Sequence, residues 1–420
     1  MNHSSVAQKI IYCLRMDSWK AEIPAGMGKL SNEEWQEILQ ESTRHQISPL
    51  LYLRLRERAS TLTVPDWVKK EFRLRYLQNA KRNMELYLEL RKVLQGFCRK
   101  DIPVMALKGV YLAENIYGNI ALRMMDDVDL LVKEKDLKKT EEVLVKLGYV
   151  PLLIPKQKSQ IISPHHHHFI YRLDRGVSLE IHWGLIGSRF SLNVEMDGQW
   201  ERAKPCLVGG VEIFCQCPED LLLHLCLHLT RDLFEQIKLK HLWDIFELIR
   251  LHGDEIHWDE LVARSRVWGM EKSLFLILGL ASEITGAAVP EDLLRQFGSI
   301  QGYEKFLERA KGQISPRPLG TGSSHFTLNM ARIWGGGKRR DRAALFFKRV
   351  FPSPREMRRL YPEAAGTRWI YCYYPVRLKD LLAGHSRQVW HLVRRDKNME
   401  RLAEDKNKLF PLKEWLGWPE

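Results

Sequence analysis

The chain lacks the marks of an exported or membrane-spanning protein. No segment near its start joins a basic stretch, an apolar stretch and small residues as a signal peptide does, and no apolar run reaches the roughly 18 residues of a membrane span. The nearest approach, residues 273–289, is interrupted by Glu283 and reads as a buried helix. Cysteine is scarce: seven, an odd number, lie scattered from Cys13 to Cys372. That argues against a disulfide framework and fits reduced thiols in a cytoplasm. Cys215 and Cys217 have no second pair nearby to complete a zinc site. Internal repeats and long low-complexity tracts are missing too. Gly335-Gly336-Gly337, followed by Lys338-Arg339-Arg340, lacks the spacing and the preceding strand of a Walker loop, so it reads as a hinge.

What is present describes a soluble globular protein. With 420 residues, 45% hydrophobic and 28% charged, two or three packed units are expected. The pattern divides into an N-terminal helical region at 1–82, a core at 83–190, a helical domain at 191–310 after a short strand segment over Val208 to Phe214, and a basic, aromatic-rich region at 311–420. Ser31 to Glu34 is a capping box, and Pro65 opens a helix that continues through Leu94. The net charge of +13 is local, since residues 331–401 hold 18 Lys/Arg against 6 Asp/Glu. Trp334, Phe346, Phe347, Tyr361, Trp369 and Trp390 lie among them. Such interleaving suits a phosphate backbone with stacked bases. It equally suits helices with aromatic cores and solvated basic faces.

Residues 123–132, Arg-Met-Met-Asp-Asp-Val-Asp-Leu-Leu-Val, carry the strongest chemical signal. On a strand, side chains two apart leave one face, so Asp127 and Asp129 point into one site while Val128 and Leu130 face the other way. Two carboxylates so placed can share magnesium, which takes hard oxygen ligands and completes its shell with water and phosphate. Upstream, Ile102 to Leu107 reads as a buried strand running into Lys108-Gly109 and a helix from Val110 to Tyr117; that turn lets backbone N–H groups approach a phosphate. Lys108 and Arg123 are candidate phosphate contacts. Downstream, Lys135 to Leu147 has helical spacing and ends at Gly148. Residues 168–173 and 177–183 alternate as a hairpin around Asp174-Arg175-Gly176. Glu180 and His182 share a face of its second strand, and Glu180 beside the acidic strand would complete a three-carboxylate site for two metals about 3.5–4 Å apart. His182 is placed to orient a carboxylate or to contact phosphate. His165 to His168 read as an exposed loop with one imidazole able to reach the site. His224 and His228 share a helix face, a spacing that binds metal or serves packing.

Leu107-Lys108-Gly109, Arg123-x-x-x-Asp127-x-Asp129-Leu-Leu-Val132, Gly148-Tyr149 and Leu179-Glu180-Ile-His182-Trp183 together resemble the bacterial nucleotidyltransferases of the DNA polymerase beta superfamily, in a poorly characterised branch. Less specific likeness extends to His45 through Leu51, Pro218 through His224, Trp243-Asp244 and 351–354. The resemblance implies an α+β fold with a polymerase-beta-like core, a mixed sheet with flanking helices, at 83–190. It also implies two magnesium ions and transfer of a nucleotidyl group from a triphosphate, ATP first among them, to an acceptor. Asp127, Asp129 and Glu180 would be the metal ligands and Gly109 the phosphate-loop glycine. Asp244 recurs near the cleft, where it would contact nucleotide or acceptor. Two departures stand out: Lys108-Gly109 replaces the usual Gly-Ser or Gly-Gly, and Asp126 replaces a small residue. The expected reaction is attack by an acceptor hydroxyl or phosphate oxygen on the α-phosphorus with release of pyrophosphate. Small molecule, peptide, protein and RNA all remain open as acceptors. The competing class is a catalytically degenerate protein that binds nucleotide or nucleic acid through 331–401.

Overall fold

The computed structural model describes residues 3–15, 30–57, 62–151, 168–173, 178–187, 192–234, 237–314, 351, 357, 371–377 and 411–417. The chain forms two compact units, Met1–Pro316 and Arg317–Trp418. In the second, Met357 is buried with Tyr373 and Tyr374 packed against it. Most of the basic region 331–401 lies outside the described residues.

The first unit opens with α1 (His3–Leu14), α2 (Asn32–Arg44), α3 (Ser48–Glu57) and the long α4 (Asp66–Cys98). Ser31 caps α2 as its spacing predicts: the Glu34 N–H donates to the Ser31 hydroxyl, and the Ser31 N–H donates to the Glu34 carboxylate. Helix α4 runs without a break across residue 82. Then come β1 (Val104–Ala106), α5 (Lys108–Tyr111), a π turn at Leu112–Ile116, β2 (Val128–Val132), a 3₁₀ turn at Glu134–Asp136 and α6 (Leu137–Lys146). The helix expected from Val110 to Tyr117 is therefore a single α turn widened into a π turn.

Strands β3 (Val150–Pro151), β4 (His168–Arg172) and β5 (Ser178–His182) follow, then α7 (Met196–Glu201), β6 (Lys204–Val208) and β7 (Val211–Cys215). The strand expected over 208–214 is the second arm of a hairpin that turns at Gly209 and Gly210, both at positive φ. The turn between β4 and β5 lies outside the described residues. Helices α8 (Pro218–Asp232), α9 (Leu239–His252), α10 (Trp258–Trp268), α11 (Glu271–Thr285), α12 (Glu291–Gly298) and α13 (Tyr303–Gly312) complete the unit. No helix among the described residues is long and apolar enough to cross a membrane.

The seven strands form one mixed sheet in the order β3-β4-β5-β2-β1-β7-β6. Strand β2 pairs antiparallel with β1 and parallel with β5, and β1 pairs parallel with β7. One face is apolar: Val104, Val128, Leu130, Val132, Leu179 and Ile181 pack in one cluster with Leu86, Leu90 and Leu94 of α4 and Val143 and Leu144 of α6. That packing leaves the alternate residues, Asp129, Glu180 and His182, on the opposite face. The α+β architecture with a mixed, helix-flanked sheet is the one expected.

Candidate active site

Strand pairing builds the site. Because β2 and β5 run parallel with Asp129 beside Glu180 and Val128 beside Leu179, the two carboxylates leave the same face as lateral neighbours. Asp127 lies two residues before Asp129, just ahead of the strand, and is half-buried. Asp129, Glu180 and His182 present one donor atom each within 4.8 Å of one another.

Hydrogen bonds and charges order this group. His182 Nε2 lies 2.9 Å from Asp129 Oδ1 and 3.5 Å from Glu180 Oε2, and Lys108 Nζ lies 3.5 Å from Asp129 Oδ2. Of the run His165 to His168, the first three residues lie outside the described residues; His168 pairs across the strands with His182, and its Nε2 is 3.7 Å from Glu180 Oε2. Burial would raise the Asp129 carboxyl, yet Lys108 and His182 hold it well below the usual carboxylate range. The His182 hydrogen bond lowers Glu180. Burial lowers His182, but its bonds to Asp129 and Glu180 outweigh that and raise it. Asp127 moves the other way: burial first, then the charges of Asp129 and Glu180, push it up to about 6. Asp127 thus feels the charges of Asp129 and Glu180 but is not among the three residues whose donors gather within 4.8 Å, where His182 stands instead.

The loop before β2 is gripped from three sides. Arg123 Nε and Nη2 donate to the two oxygens of Asp244 at 2.8 Å each, and the Tyr117 hydroxyl donates to Asp244 Oδ1 at 3.0 Å. Asn83 Nδ2 on α4 donates to the Arg123 carbonyl at 2.9 Å. Arg123 and Asp244, read from the sequence as ligand contacts, are buried and turned on each other. Lys240, one turn before Asp244 on α9, donates to the Met124 carbonyl at 3.2 Å and to Gln46 Oε1 at 2.6 Å; Gln46 Nε2 donates to Asp126 Oδ2 at 2.7 Å. Burial and then Arg123 depress the Lys240 ammonium to about 8. Gln46, at φ 53°, and Lys108, at φ 34°, both take the left-handed backbone that suits glycine, and both border this loop. Behind Lys108, a Cβ on Gly109 would meet Arg123 Nη1 at 3.4 Å.

Sequence reading did not single out Gln46 or Lys240 as loop contacts. The spacing of Lys240 and Asp244, four apart on one face of a largely apolar helix, was the available signal. His224 lies near enough for Lys108, Asp129 and His182 to act on it, and burial leads in holding it well below its ordinary value; its Nδ1 is 3.0 Å from Gln216 Oε1.

A mixed sheet that sets Asp129 beside Glu180, with Lys108 of the Lys-Gly turn approaching Asp129, is compatible with the nucleotidyltransferase resemblance. Comparison of the sequence with protein families agrees: residues 31–286 match the family described as uncharacterised nucleotidyltransferase, and the chain, matched over more than half its length, belongs to that family. No curated protein matches the sequence. Among solved structures, the chain is similar to the solution structure of the antibiotic-resistance factor ANT(2'')-Ia, at 13% identity over 44% of this chain and 92% of that one, with TM-score 0.33. It is similar also to the crystal structure of ANT(2'')-Ia in complex with adenylyl-2''-tobramycin, at 15% identity over 44% and 97%, again with TM-score 0.33.

Proposed function

We propose that the chain moves a nucleotidyl group from a nucleoside triphosphate, ATP first among them, to an acceptor hydroxyl or phosphate oxygen, with release of pyrophosphate. The register of Asp129 against Glu180, with Asp127 pushed up to about 6 by burial and by both of them, is the observation that carries this reading. A cluster of hard carboxylate oxygens suits magnesium. When bound, two such ions would neutralise the triphosphate and lower the pKa of the acceptor.

Each residue then has a role. Asp127, Asp129 and Glu180 would supply the carboxylate oxygens that hold the ions. His182 orients Asp129 through its 2.9 Å contact. Lys108 neutralises Asp129 in the free protein and turns to phosphate when cations take over the carboxylates, while Gly109 keeps the turn slim enough for phosphate to approach. Arg123 and Asp244 act as positioning residues that set the loop leading into Asp127. Correct placement of reacting groups is worth on the order of 7–11 kcal/mol, so displacing any one carboxylate is expected to be severe.

The test incubates the full chain with each α-labelled triphosphate and a cell lysate, with and without magnesium. The expected result is a magnesium-dependent labelled product that falls at least about 100-fold in Asp127→Asn and in Asp129→Asn. Undiminished labelling by either variant would refute the assignment. Magnesium-dependent triphosphate binding with no labelled product would favour the degenerate binding protein instead.

A further inference from the structure

A second set of donors gathers between α8 and α9. His228 and Asp232 are four apart on α8 and so share a face, and His241 stands in the first turn of α9. One donor atom from each lies within 4.8 Å of the others. His228 Nδ1 is 3.3 Å and His241 Nδ1 2.9 Å from Asp232 Oδ2, and the two rings meet edge to face with centroids 5.1 Å apart. Zinc bonds of about 2.0–2.2 Å to nitrogen and oxygen imply tetrahedral edges of about 3.3–3.6 Å. The observed separations need only small adjustments to surround one ion. In the ion-free chain both imidazoles face one oxygen of Asp232, which already gathers the three donors around a common centre.

We infer that His228, Asp232 and His241 form a site for one zinc-class divalent ion, with the fourth position left to water. Imidazole donors favour zinc over magnesium, which sets this site apart from the all-oxygen set of Asp127, Asp129 and Glu180. The ion would tie the end of α8 to the start of α9. One contact opposes it: Arg231 Nη2 donates to His228 Nε2 at 3.0 Å, which puts the ring proton on Nδ1. Binding therefore requires the proton to move to Nε2 and the exposed guanidinium to turn away. None of this depends on the transfer reaction.

The experiment strips the full chain of metal by dialysis against a chelator and titrates it with zinc in competition with a chromophoric chelator, with far-UV circular dichroism as the fold control. Expected are about one zinc per chain at a Kd below about 10 µM, unchanged binding in Asp127→Asn with Glu180→Gln, and tighter binding in Arg231→Ala. Since outer contacts to a metal ligand alone are worth about 10–100-fold, His241→Ala should weaken binding by about 100-fold or more. Weaker binding in the parent chain, or binding lost with Asp127 and Glu180 but kept without His241, would overturn the site. Should His241→Ala fail to fold, the parent chain and the Asp127 and Glu180 variant decide by themselves.

Discussion

Asp127 stands beside two other carboxylates, and its folded-state value near 6 exceeds the 3.8 of a free carboxyl through burial first and repulsion second. An acid raised on folding costs stability as pH climbs through the folded value, and costs nothing below the unfolded one. In magnesium-free buffer, Asp127→Asn should therefore melt higher than the parent at pH 7.5 and equally at pH 3.5, while losing transfer. Equal melting at both pH values would show that neither burial nor repulsion raises the Asp127 carboxyl. Asp244 illustrates the opposite case, a buried anion with its partner in place. Asp244→Ala leaves the Arg123 guanidinium buried and unpaired, and urea denaturation should show a loss of about 3–5 kcal/mol. At this scale the sequence was informative about Asp127, Asp129, Glu180 and His182, because a period of two assigns faces without any tertiary knowledge. It was uninformative about Arg123 and Asp244: residues 121 positions apart reveal nothing of each other until the chain folds.

Elements were legible where local chemistry sets them. The cap on α2 is an instance, and Ser31→Ala should cost about 1 kcal/mol in the same denaturation. The long α4 was visible from its proline start and unbroken pattern. Less visible was the packing of α11 on α13: a Cβ on Gly279 would overlap the Tyr303 hydroxyl, a close approach that nothing in either segment announces. Gly279→Ala should destabilise the protein by about 1–3 kcal/mol through overpacking, and Gly279→Ala combined with Tyr303→Phe should recover part of that loss. The β6–β7 hairpin was read as one strand because its first arm is largely exposed and gives little apolar alternation, although Gly209-Gly210 marks its turn.

For the whole molecule, ligand linkage gives the broadest test. If magnesium and a triphosphate bind the folded chain alone, saturation at about 100 times Kd should stabilise it by about 2.7 kcal/mol, read as a rise in Tm. Removing magnesium with a chelator should abolish the rise, as should Asp129→Asn. The fold class followed from the family resemblance, which rested on four short motifs spread from Leu107 to Trp183. What the sequence alone determined is which residue types face together within each strand and where the helices begin, since both depend on neighbours a few positions away. Only tertiary structure decided that β5 lies parallel to β2 with Glu180 beside Asp129, that α9 grips the loop before the acidic strand, and that His241 meets His228 and Asp232. Pairings across such distances depend on burying the sheet's apolar face against α4 and α6, a cooperative requirement of the whole chain that no local pattern records.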